Sequence, residues 1–185
     1  MAGNHRAILR GISSLELAAE NLKRILITHA DSDHYGALAR LLSIAGVQTW
    51  TSQPEAEAII AGHASRDLKG NSVVEKVFVR ASGPMMRAAP AAIDRLLMPG
   101  ETLPILGGLV VIDSRGHTPG HISFFLPEKR VLFSGDSIFR RDGRFIPSYG
   151  INCWDEELAV SAMQVQLELA PKIICGGHSV FRLDS

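Results

Sequence analysis

THADSDHYG, Thr28–Gly36, places two histidines and two aspartates within six consecutive positions, His29 to His34, directly after the apolar run RILI. A short apolar run that ends in metal-capable side chains, instead of continuing at helical period, reads as a buried strand from Arg24 to Thr28. YGALARLLSIAG then reads as a helix, because Leu38, Leu41, Leu42 and Ala45 recur at three and four and Gly46 can stop it. VQTWTS is the next strand, and Ser52 with Glu55 has the spacing of a capping box opening QPEAEAIIAG. Strand, helix, strand, helix is an α/β signature.

Downstream, His63 to Met98 carries weaker patterning: VVEKVFV reads as a strand and APAAIDRLL as a helix, with SGP between them. From Glu101 onward TLPI, LVVID, HISFFL and RVLFSGD are short apolar runs separated by turn residues, and PEK between Leu126 and Arg130 is a hairpin turn. DEELAVSAMQVQLELA restores helical spacing, and KIICGGH is a last strand running into a histidine. Three strands thus end in ligand-type residues, His29, Asp136 and His178, and His117 lies just past a fourth. Side chains at the ends of neighbouring strands can converge on one sheet edge, where loops are shaped without disturbing the core. Within the opening motif, His29 and Asp31 share a side if the segment stays extended, while Asp33 and His34 sit at the turn into the following helix.

A chain of 185 residues that is 46% hydrophobic supports one domain, 1–185, with a substantial core. Nineteen basic and nineteen acidic side chains give zero formal net charge, which argues against nucleic acid or anionic membrane as partner; the expected partner is a small-molecule substrate. The N-terminus lacks an apolar stretch long enough for a signal peptide and no window approaches a membrane span, so the expected setting is cytoplasmic. Cys153 and Cys175 have no C-x-x-C spacing and are expected to be free thiols.

Four motifs in order, HADSDH, GHTPGH, SGD and GGH, resemble those of the metallo-β-lactamase superfamily over roughly Asn4 to Ser179. The resemblance implies an αββα sandwich, an α/β layered fold with a dinuclear metal site between two sheets, of the glyoxalase II-like kind. By this resemblance His29, Asp31 and His117 hold one ion, and Asp33, His34 and His178 the other. Asp136 and a hydroxide bridge them, and Asp33 is the catalytic proton-handling residue. Two divalent ions are implied, with zinc expected and iron or manganese as alternatives. The implied function is a metal-dependent hydrolase that turns a metal-bridged hydroxide on an ester, thioester, lactone or amide carbonyl. The alternatives are an iron-dependent oxidoreductase or dioxygenase of the same fold, and a non-catalytic metal-binding or interaction protein.

The sequence departs from the family pattern at two places. The second histidine of H-x-H-x-D-H is Asp31, so three carboxylates and a hydroxide face two ions and the formal charge falls from about +1 to about 0. That shift favours iron or manganese over zinc and resembles the flavodiiron branch, which has glutamate there. In addition, only 28 residues precede His29, so the first strands of the N-terminal sheet are expected to be lacking, with a homodimer or another partner covering the exposed edge. Secreted β-lactamase activity is not expected without a signal peptide, nor glutathione gripping by a C-terminal helical domain when seven residues follow His178. His121 is expected to act structurally or in support of the ligands, and His5 and His63 to be solvated. Arg140, Arg141 and Arg144 are candidates for binding an anionic substrate group or for a solvated loop. Tyr149 is a candidate pocket residue, Trp154 a core residue, and Gly176 and Gly177 turn glycines.

Overall fold

The computed structural model describes residues 4–183 apart from 45, 69–76 and 78–86. Strands β1 (Arg24–Leu26), β2 (Gln48–Thr51) and β3 (Arg95–Leu96) form a parallel sheet in that order. Strands β4 (Thr102–Leu103), β5 (Leu109–Asp113), β6 (Ile122–Leu126), β7 (Val131–Gly135), β10 (Ile173–Gly176) and β11 (Val180–Arg182) form a second sheet, ordered β11-β10-β7-β6-β5-β4. A separate hairpin joins β8 (Ile138–Arg141) to β9 (Arg144–Pro147).

Strict alternation along the strands builds the layers. Leu26 and Trp50 of the first sheet pack with Leu103, Leu109, Val111, Ile122, Phe124 and Leu126 of the second, forming the core between sheets. Their neighbours point the other way. Ile25 and Ile27 pack with Tyr35, Leu38, Ala58 and Ile59 from α2 (Ser32–Tyr35), α3 (Leu38–Leu42) and α4 (Gln53–Ala61). Ile112, Phe125, Leu132 and Ile174 pack with Met163 and Leu167 of α5 (Glu156–Glu168). The result is helix, sheet, sheet, helix: the αββα sandwich. Helix α1 (His5–Ser13) contributes no buried residue to it.

Several local expectations hold and several change. The 126–130 hairpin turn is closed by the Arg130 amide on the Pro127 carbonyl at 3.1 Å. Asp155 caps α5 by accepting from the Leu158 amide at 3.0 Å. The helix expected over 35–46 is instead two pieces, α2 and α3, interrupted at Gly36 and Ala37, and helicity begins earlier, at Ser32. APAAIDRLL is not a helix: its backbone bonds outward, from Ala91 to Ile59 and from Asp94 to Thr49, and the Asp94 carboxylate accepts from the Thr49 amide at 2.7 Å. Those bonds leave no i to i−4 ladder and deliver the chain into β3. VVEKVFV lies outside the described residues except for Val77. The arginine-bearing loop IFRRDGRF is the β8–β9 hairpin, turned at Asp142 and Gly143, both with positive φ, a two-residue turn whose Asp-Gly signal stands in the sequence.

The topology places the candidate ligands. β5 and β7 both run antiparallel to β6, and β10 runs parallel to β7, so the C-terminal ends of these three strands share one edge. The first sheet joins that edge through the Ile122 amide, which donates to the Thr28 carbonyl at 3.1 Å. Because Trp50 carries the first sheet's main contact with the second, Trp50→Ala is expected to cost about 3–5 kcal/mol of stability in urea unfolding.

Candidate metal centre

Six of the seven expected ligands gather as two trios sharing one edge of the sandwich. His29, Asp31 and His117 have mutually close ligand atoms, as do Asp33, His34 and His178. The seventh, Asp136, lies between the trios and groups with His29 and His34. His117 Nε2 is 3.1 Å from Asp31 Oδ2, and His29 Nε2 is 3.8 Å from the same oxygen. Across the site, His178 Nε2 is 3.5 Å from Asp33 Oδ2 and His34 Nε2 is 3.8 Å from it. Asp136 faces both sides: Oδ1 is 3.3 Å from His34 Nε2, while Oδ2 is 3.4 Å from His178 Nε2 and 3.9 Å from His117 Nε2. His29 and His117 form the buried floor, and the half-exposed His178 and Asp33 form the open side.

Local sequence explains the aim of each ring. Asp31 is extended and Ser32 opens α2, so His29 and Asp31 face one way while Asp33 and His34 enter on the helical turn. His29 Nδ1 lies 3.0 Å from Thr28 Oγ1 and His117 Nδ1 lies 2.8 Å from Ser148 Oγ. With Nδ1–H donating to those hydroxyls, each Nε2 lone pair is left facing the centre. The buried atoms His29 Nε2, His34 Nε2 and Asp136 Oδ1 have no hydrogen-bond partner. Unpaired buried acceptors and donors are costly, at about 1–3 kcal/mol each, and divalent cations, one in each trio, would satisfy all three. The donor set therefore fits a metal, and its imidazole and carboxylate character suits zinc, iron or manganese.

Electrostatics agree with that reading. Burial, reinforced by the neighbouring His121, His34, His117 and Arg66, holds His29 well below the ordinary histidine range, so its imidazole is neutral. Burial also works to raise Asp136 and Asp31, but hydrogen bonds and charge from their neighbours prevail and both carboxylates are lowered: His34, His117 and His178 act on Asp136, His117 and Arg66 on Asp31. Burial opposes protonation of His34, yet Asp136, Asp33 and Asp31 raise it.

His121 supports the site from behind. Burial, together with His117, keeps it neutral, its Nε2 accepts the Asp136 backbone N–H at 3.2 Å, and its Nδ1 lies 2.7 Å from Ser114 Oγ. Gly177 is more than a turn glycine: a Cβ there would collide with Asp136 Oδ1 and with His34, so only glycine lets this loop approach the centre. Arg141 donates to Tyr149 Oη at 2.9 Å, and Arg140 lies over the Phe145 ring.

Two residues of the centre escaped the sequence reading. Glu55 does not close a capping box: Ser52 Oγ instead donates to the Gly120 carbonyl, and the fully buried Glu55 carboxylate accepts from the Ala30 amide at 2.6 Å, Thr118 Oγ1 at 2.7 Å and the Gly120 amide at 2.9 Å. It ties the loop carrying His29 and Asp31 to the loop carrying His117. Burial raises its pKa, and these donors oppose the rise. Arg66 is the second: it grips Asp31 with both terminal nitrogens, at 2.5 and 2.9 Å. The charge imbalance at Asp31 was the signal that a nearby cation was needed, but Arg66 lies in a stretch without clear pattern.

The comparisons agree with the geometry. The family model of the metallo-beta-lactamase superfamily matches residues 2–178, and the chain belongs to that superfamily. YobT of Bacillus subtilis (strain 168) is 28% identical over 193 residues, spanning 98% of this chain and 76% of YobT. The hydroxyacylglutathione hydrolase GloC of Haemophilus influenzae is 30% identical over 145 residues, and the alignment spans 75% of this chain but only 58% of GloC. Among solved structures, TTHA1623 in a di-iron-bound form superposes with a TM-score of 0.70 at 24% identity, covering 96% of this chain and 79% of that one. The B3 metallo-beta-lactamase BLEG-1 gives 0.68 at 23% identity, covering 98% and 80%. At these identities the structural likeness speaks for the fold alone.

Two predictions follow from the buried groups. Glu55→Ala strands three donors, so a loss of about 3 kcal/mol or more is expected in urea unfolding, while Glu55→Gln, which forfeits chiefly the Ala30 bond, loses less. For the metal-free chain, His29 and His121 bind fewer protons folded than unfolded, so their contribution is present above the unfolded value of 6.5 and declines as pH falls below it. His34 and Glu55, both raised, have the opposite sign, but only His29 and His121 are held well away from their ordinary value, so the other two reduce the loss without reversing it. The melting temperature of metal-free protein is therefore expected to fall between pH 7 and pH 5.

Proposed function

We propose that this chain is a metal-dependent hydrolase that uses activated water on an ester, thioester, lactone or amide carbonyl of a small molecule. The observation that carries the reading is the pair of ligand trios joined by Asp136, with three buried ligand atoms lacking a hydrogen-bond partner. His29, Asp31 and His117 would hold one divalent ion and Asp33, His34 and His178 a second, with Asp136 reaching both. Ions bound there supply a water of lowered pKa and polarise the carbonyl under attack.

The chain's own residues set the direction of the chemistry. Substrate enters from the side of His178 and Asp33, since His29 and His117 are closed off behind them. Asp33 is the ligand carboxylate with the greatest exposure, so it takes a proton from the attacking water and returns it to the leaving group at the open face. Asp136 is held by the His121 contact at its backbone and keeps the two trios at fixed separation. The similarity to GloC supports a hydrolase of this kind and leaves the substrate class open. Cytoplasmic residence is part of the proposal: no helix among the described residues is long and apolar enough to cross a membrane, and both cysteines are free. A third carboxylate in the centre, Asp31, favours iron or manganese chemistry as the second reading, and oxygen consumption by iron-loaded protein tests it.

Against a panel of ester, thioester, lactone and amide substrates, Asp136→Ala is expected to lose at least about a hundredfold in kcat/KM, and chelation followed by metal return to remove and restore activity of the unaltered chain. Full activity in Asp136→Ala would place hydrolysis elsewhere.

A further inference from the structure

The hydrolase reading rests on a complete first trio, and there the sequence has an aspartate where the family motif has a histidine. We infer that Arg66 is the positioning residue that makes Asp31 work as that ligand, the two side chains acting as one unit in place of the missing imidazole. Arg66 is buried, and its two terminal nitrogens donate to the two carboxylate oxygens of Asp31, the parallel fork that fixes a carboxylate in both position and plane. The same Nη2 donates to the Asn152 carbonyl at 3.2 Å and lies 3.5 Å from His117 Nε2, so the guanidinium is itself anchored beside the trio.

Charge and reach both require such a partner. Three carboxylates, Asp31, Asp33 and Asp136, face the centre, whereas the family motif with histidine at the second position would supply two. Asp31 with Arg66 is net neutral, as the histidine would be, and the site's overall charge returns to that of the ordinary motif. Aspartate also has a shorter side chain than histidine. Pinned by Arg66, Asp31 Oδ2 still stands 3.1 Å from His117 Nε2 and 3.8 Å from His29 Nε2, with a lone pair to offer beyond the hydrogen bond it accepts. A ligating carboxylate held by a hydrogen-bonded neighbour is the arrangement that tunes affinity by about 10–100-fold.

A double-mutant cycle on metal binding by the full chain tests this, with stoichiometry from plasma mass spectrometry and affinity from competition with a chromogenic chelator, using zinc and manganese. The unaltered chain is expected to bind two ions. Arg66→Gln and Asp31→His, each alone, are expected to weaken one of the two by at least about tenfold. The first leaves an unneutralised carboxylate and the second an unpaired buried guanidinium. The double variant is expected to recover to within about threefold of the unaltered chain, a reversal that a merely structural Arg66 would not produce. Arg66→Lys, which keeps the charge and loses the fork, is expected to fall between, and it serves if Arg66→Gln does not fold by circular dichroism. Two ions bound as tightly in Arg66→Gln as before, tighter binding there, or a double variant no better than the worse single would overturn the inference while leaving the hydrolase reading intact. No ion bound by the unaltered chain would overturn both.

Discussion

Three buried ligand atoms without a hydrogen-bond partner organise this molecule. His29 Nε2 is turned inward with the opposite side of its ring against Thr28, and His34 Nε2 and Asp136 Oδ1 face each other at 3.3 Å without forming a hydrogen bond. A protein that simply minimised its own energy would not leave these groups apart from water, since each costs about 1–3 kcal/mol. The cost is tolerable only if the surrounding fold over-determines the arrangement and a cation relieves it.

Over-determination is visible in what stands behind the ligands. Glu55 joins two ligand loops, one from each sheet. His121 and Ser114 brace the Asp136 backbone, and Ser123 and Ser134 continue the chain of buried hydrogen bonds beneath them. Gly177 admits the final loop close against Asp136 and His34. Arg66 completes the set on the side where the motif is altered. Apart from Ser123 of β6 and Ser134 of β7, these contacts are made by residues of loops and helix starts, while the two sheets supply a rigid edge from which the loops project. That division lets ligand chemistry change, as at Asp31, with the packing of Trp50, Val111 and Phe124 untouched.

How much of this the sequence discloses depends on whether a residue's role is local. LVVID, HISFFL and RVLFSGD were legible as strands because they are short apolar runs divided by turn residues, and the layers and candidate ligands were legible through the resemblance that four motifs in order carry. The trios then assemble as the spacing of His29, Asp31, Asp33 and His34 suggested. Glu55 was hidden by a local pattern it does not follow: Ser52 and Glu55 have capping-box spacing, but their partners lie 63 to 68 positions away at Thr118 and Gly120, and 25 positions away at Ala30. Arg66 was hidden for the same reason, its partner being 35 positions distant. The 89–97 segment misled because its helical composition is overruled by bonds to α4 and β2, and IFRRDGRF because arginines drew attention from the Asp-Gly turn at its centre.

The central claim is that these seven side chains form a two-ion centre, and anomalous diffraction from crystals grown with manganese and then with zinc tests it most directly. The account predicts two anomalous peaks, one in contact with His29, Asp31 and His117 and the other with Asp33, His34 and His178, both touching Asp136. The absence of any peak between the trios, or peaks held only by surface carboxylates, would contradict it.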